Sequence, residues 1–108
     1  MKVYKCSLRA IEAIRQDGEC LIQGFGGSME TLLHSGGIFK FSAVLEDTVL
    51  EKHDIVFCKV NGSLFLHKIT AINGDRIQIG NNRGKINGWT TRKNIYGKFV
   101  EVVSGKPS

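Results

Sequence analysis

From Glu19 onward, short runs of β-branched, aromatic and aliphatic residues follow one another, and glycine or asparagine closes most of them. The runs lie at 20–23, 37–41, 54–60, 63–72, 76–79 and 95–103, and this punctuation predicts strands joined by turns. The 13 glycines against a single proline fit the same reading, because glycine supplies the positive φ that tight turns and bulges need. Asn61-Gly62 is a two-residue hairpin signal, and Asn73-Gly74-Asp75 opens the next hairpin. Residues 80–88, Gly-Asn-Asn-Arg-Gly-Lys-Ile-Asn-Gly, show no apolar period and read as a long loop.

One helix is expected. Ser7 precedes Leu8, Ile11 and Ile14 at helical spacing, and Gly18 stands just past the last repeat. The chain therefore divides into a strand/helix extension over 1–18, a β domain over 19–103 and a tail over 104–108. Its 108 residues leave room for one core, and 42% apolar with 23% charged residues is a globular balance. The fold class expected is mainly β, a small curled sheet or partly open β-barrel with one short N-terminal helix.

A net charge of +5 attracts polyanions weakly, but the lysines and arginines are scattered and form no run, so solvated faces are preferred to a nucleic-acid groove. Cys6, Cys20 and Cys58 have no metal-ligand spacing, so free thiols and no metal or cofactor are expected. No apolar stretch approaches the ~20 residues of a membrane span, and Met1 to Cys6 do not open an export signal. A soluble cytoplasmic protein is the expectation.

Two segments could carry chemistry. In Gly24-Phe25-Gly26-Gly27-Ser28-Met29-Glu30, glycines deliver a serine whose neighbouring N–H groups can meet an oxyanion. On the bland reading this is a glycine turn with an incidental serine, since a serine alone is inert without a base. His34 and His53 fall in polar loop-like contexts, whereas His67 sits in the apolar run Phe65-Leu66-His67-Lys68-Ile69. Strand alternation puts His67 and Lys68 on opposite faces, so only one can face Ser28. Histidine is the better base near neutrality, and the competing reading is a core histidine beside a snorkelling lysine.

These pieces occur in a telling order: Gly27-Ser28-Met29-Glu30, Leu33-His34-Ser35-Gly36-Gly37, His53-Asp54-Ile55-Val56, Leu66-His67-Lys68-Ile69, Gly80-Asn81-Asn82 and Ile95-Tyr96-Gly97-Lys98. Together, over about 20–103, they resemble the superfamily that unites type I signal peptidases with LexA-like self-cleaving repressors, and most closely its Ser-His branch. The resemblance implies the signal peptidase/LexA C-terminal domain fold, Ser28 as nucleophile, His67 as base, and an oxyanion site of backbone N–H groups at Gly26 and Ser28. Lys68 is the alternative base. The chain departs from the family at Thr31, Gly37 and His53, and at Asn81, where the Ser-His branch carries an aspartate that can orient the histidine. Asn81 and Asn87 are the candidate orienting residues, with Asp75 a nearby carboxylate.

The resemblance implies a serine endopeptidase that binds an extended peptide against an edge strand such as 20–23 or 37–41. No membrane anchor or DNA-binding domain is expected in the chain itself, and an edge-strand homodimer is compatible with this architecture. Two other functions compete: a catalytically silent member of the fold that binds a peptide or protein, and a small β-barrel that binds single-stranded nucleic acid through Phe25, Phe39, Phe41 and Trp89.

Overall fold

Ser7 and Gly18 bracket the helix at the expected places. In the computed structural model, which describes residues 2–25 and 35–104, strand β1 (Val3–Lys5) leads into helix α1 (Leu8–Asp17), and Gly18 ends it at φ 80° by donating its N–H to the Ile14 carbonyl. Ser7 does not cap the first turn with its side chain, because its Oγ donates instead to the Lys5 carbonyl at 2.9 Å. The helix buries Ala10, Ile11, Ala13 and Ile14, so Ile11 and Ile14 lie on the core face as their spacing predicts, whereas Leu8, expected with them, is exposed.

The other strands are β2 (Glu19–Gln23), β3 (Ile38–Ala43), β4 (Ile55–Val60), β5 (Ser63–Asn73), β6 (Arg76–Gly80), β7 (Ile86–Thr91) and β8 (Ile95–Ser104), with a short 3₁₀ turn (Arg92–Asn94) before the last. They form one sheet in the order β1-β2-β3-β8-β4-β5-β6-β7. Only β1 and β2 are parallel, because α1 is the crossover between them, and every other neighbouring pair is antiparallel.

The sheet curls around two apolar clusters. The first lies under α1 and holds Phe39, Phe41, Phe57, Ile14 and Ile22 with Tyr96. The second lies within the curl and holds Val56, Cys58, Val60, Ile69, Ile77, Ile79 and Ile95. Strand β4 supplies both, Phe57 to one and its alternate neighbours Val56 and Cys58 to the other, which is why that segment reads as a continuous apolar run.

The two marked turns form as predicted. Asn61 and Gly62 both have positive φ, 51° and 83°, between the paired Val60 and Ser63. Gly74, at φ 61°, lies between the paired Asn73 and Arg76.

The loop expected over 80–88 is corrected. Gly80 ends β6 and β7 begins at Ile86, so only 81–85 connect them. The glycines that suggested a loop instead permit close backbone approach. A Cβ on Gly80 would lie 2.8 Å from the Lys85 carbonyl oxygen and 2.9 Å from Thr70 Cγ2, and one on Gly88 would lie 3.1 Å from Asn61 Nδ2. Sequence periodicity cannot register a strand whose pairing depends on missing side chains.

Candidate active site

His67 lies in the middle of β5, opposite Val56 of β4, and is 8% exposed. Its imidazole stacks on Phe65, the next side chain on the same face, with ring centroids 4.8 Å apart and planes at 23°. Nδ1 lies 2.7 Å from Asn87 Oδ1 on β7. An amide oxygen only accepts, so this contact puts the proton on Nδ1 and the basic lone pair on Nε2. Asn87 is itself tied to the β4–β5 turn, where its backbone carbonyl accepts from Asn61 Nδ2 at 3.4 Å.

Burial pulls the His67 pKa below its ordinary value, the Asn87 hydrogen bond works against that shift, and the nearby Lys85 charge adds to it. The net lowering favours the neutral ring, the state a general base requires.

Asn81 has a different task from the one expected. Its Oδ1 accepts the backbone N–H of Arg83 at 2.8 Å and of Lys85 at 3.0 Å, and its own N–H donates to the Lys85 carbonyl at 2.9 Å. It folds the 81–85 turn, so the orienting contact to His67 comes from Asn87 and not from this oxygen. Asp75 lies in the β5–β6 turn at the other end of β6 from Gly80, the residue paired with Lys68. Spacing alone could not choose between Asn81 and Asn87, because the choice depends on Asn87 belonging to a strand.

Lys68 pairs with Ile55 and Gly80 and points to the face opposite His67. His53 is exposed, and it adopts φ 79° at the position where the resemblance expects glycine, with its N–H donated to the Ile69 carbonyl.

Gly26, Ser28 and His34 lie outside the described residues. The described ends of that segment are firmly tied. Gly24 donates to the Gly37 carbonyl at 3.0 Å, Gly36 donates to the Gly24 carbonyl at 2.6 Å, and Gln23 Nε2 donates to the Gly36 carbonyl. A Cβ on Gly24 would come within 2.8 Å of Phe39 and 3.7 Å of Leu66 Cδ1, so the chain leaves β2 against the helix-side cluster, on the face of β5 opposite His67.

Two expectations about surfaces are corrected. Strand β3 is paired on both sides, and β2 is paired with β3 throughout and with β1 over Leu21–Gln23, so neither offers an extended edge to a peptide. An edge does exist on β5, because β6 pairs with it only from Lys68 onward, leaving Ser63–His67 bonded to β4 alone among the described strands. The aromatic platform for single-stranded nucleic acid also fails, since Phe39 and Phe41 are wholly buried and only Phe25 and Trp89 of the four are exposed.

The three cysteines are free, and burial pushes Cys6 and Cys20 up to about 11 and Cys58 higher still, so none is a thiolate near neutrality. Among the described residues no group of His, Cys, Asp and Glu could hold a metal ion, and no helix is long and apolar enough to cross a membrane. A scan against protein-family models found no match, and a search of curated proteins found none either.

Proposed function

We propose that the chain is a serine endopeptidase of the signal peptidase/LexA-like type, with Ser28 as nucleophile and His67 as base. The observation that carries this reading is the buried His67–Asn87 pair, which holds one tautomer with its basic nitrogen at Nε2.

Ser28 Oγ attacks the scissile carbonyl carbon while His67 Nε2 takes the hydroxyl proton. Backbone N–H groups around Gly26 and Ser28 stabilise the oxyanion. Collapse of the tetrahedral intermediate breaks the C–N bond, and the imidazolium returns its proton to the leaving amine. Water then attacks the acyl-enzyme as His67 takes its proton, and the acyl C–Oγ bond breaks as the imidazolium returns that proton to Ser28 Oγ, releasing the carboxyl product and restoring the serine. An extended substrate would pair with the Ser63–His67 edge, which leads directly to the base.

Labelling with a fluorophosphonate tests the pair. We expect covalent modification at Ser28, lost in Ser28→Ala, reduced at least about a hundredfold in His67→Ala and little changed in Lys68→Ala. Folded wild-type protein that stays unlabelled, or label lost only in Lys68→Ala, would overturn the assignment, the first in favour of a silent peptide-binding member of the fold.

A further inference from the structure

A cleft of about 580 Å³ opens where the C-terminal half of α1, the β3–β4 loop, the β5–β6 turn and the 3₁₀ turn converge. It continues into a second hollow of about 410 Å³ along α1, and Arg15, Lys93 and Tyr96 line both. Volumes of ~300–1,000 Å³ are those of small-molecule sites. The cleft lies toward Thr91, the end of β7 paired with Arg76, whereas Asn87 and His67 lie toward its other end.

The floor is apolar, with Ile95 and Tyr96 both buried. Arg15 lies over the Tyr96 ring at 5.4 Å, which fixes one cation at the junction of the two hollows. Lys93 is exposed and has no hydrogen bond or ion pair among the described residues. The wall is preorganised by Arg92, whose Nη2 donates to the carbonyls of Leu45 at 2.7 Å and Thr48 at 2.5 Å and so holds the β3–β4 loop in place.

Thr91 adds an unsatisfied group. Its Oγ1 is buried and has no hydrogen-bond partner, although it occupies the N-cap position of the 3₁₀ turn, where a threonine hydroxyl ordinarily bonds to backbone. Acids are present too: Glu46 and Asp75 line the larger hollow and Glu12 the smaller. The residues common to both hollows are two cations and an aromatic ring.

We infer that this cleft is a binding site for a small organic anion, a phosphate-type group at Arg15 and Lys93 joined to a flat apolar body over Ile95 and Tyr96. Neither His67 nor Asn87 lines the cleft.

Titration of the full ¹⁵N-labelled chain with phenyl phosphate, followed by amide shifts, tests the inference. We expect saturable shifts centred on Thr91–Tyr96 and Arg15, with affinity at least tenfold weaker for Arg15→Gln/Lys93→Gln and unchanged for Lys52→Gln, a lysine outside the cleft. Lys93→Gln alone, at an exposed residue, serves as a second variant that leaves the fold undisturbed and weakens binding. Shifts spread over basic residues across the whole surface, inorganic phosphate binding as tightly as phenyl phosphate, or equal weakening by Lys52→Gln would each overturn the assignment.

Discussion

At the scale of single residues, His67 is, of the two described histidines, the one whose surroundings resemble those of a catalytic base. A lone histidine in an apolar strand needs a partner, and that much could be read from the run Phe65-Leu66-His67-Lys68-Ile69. What the run could not specify was the partner's identity, since Asn81 and Asn87 are equivalent by spacing and only folding commits Asn81 Oδ1 to the 81–85 backbone. An asparagine fixes the tautomer as well as an aspartate would, but it stabilises the imidazolium less. Asn87→Asp is therefore expected to raise the labelling rate by at least about tenfold and to move its pH limb upward by a unit or more. In the wild type that limb should lie below 6.5, the ordinary histidine value, because burial lowers the folded pKa. The same shift makes stability fullest above 6.5 and lost as pH falls toward the lowered pKa, since the unfolded chain then binds the extra proton. A pH–rate profile of fluorophosphonate labelling for both proteins checks the first, and urea melts across the same range check the second.

At the scale of elements, close approach decides what pattern cannot. The helix was legible because its apolar spacing and glycine stop act locally. Strand β7 was not, because Gly80 and Gly88 mark sites where backbone meets backbone or a neighbouring strand. Gly97 on β8 shows the same physics under the helix: a Cβ there would lie 2.5 Å from Ile14 Cδ1 and 3.1 Å from Phe41 Cβ. Gly97→Ala should cost about 1–3 kcal/mol in urea unfolding. Ile14→Val in the same chain should recover part of that cost, because the two substitutions share one contact. Simple additivity of the two losses would show that Gly97 is not the point of closest packing.

At the scale of the whole molecule, the curled sheet with two apolar clusters explains how 108 residues hold a buried histidine. The sequence-level division between an extension over 1–18 and a β domain beyond it meets a shared core, since Ala10, Ile11, Ala13 and Ile14 complete the cluster that contains Phe39, Phe41 and Phe57. Deleting residues 1–18 should expose those three phenylalanines and abolish the cooperative unfolding transition and the near-ultraviolet circular dichroism of the intact chain. A sharp transition retained by the truncated chain would instead make the extension dispensable.

The overall class was readable because turn chemistry and strand alternation are local, whereas the strand order, with β8 inserted between β3 and β4, depends on contacts distant in sequence. That order removes β2 and β3 as substrate edges and leaves the half-paired stretch of β5 that ends at His67. The most direct test is the distance from Ser28 Oγ to His67 Nε2 in crystals of the full chain. A catalytic pair requires about 2.6–3.2 Å, with Nδ1 still bonded to Asn87. Ser28 Oγ within that reach of Lys68 Nζ, or an imidazole whose Nε2 is turned into the apolar cluster away from Ser28, would contradict it.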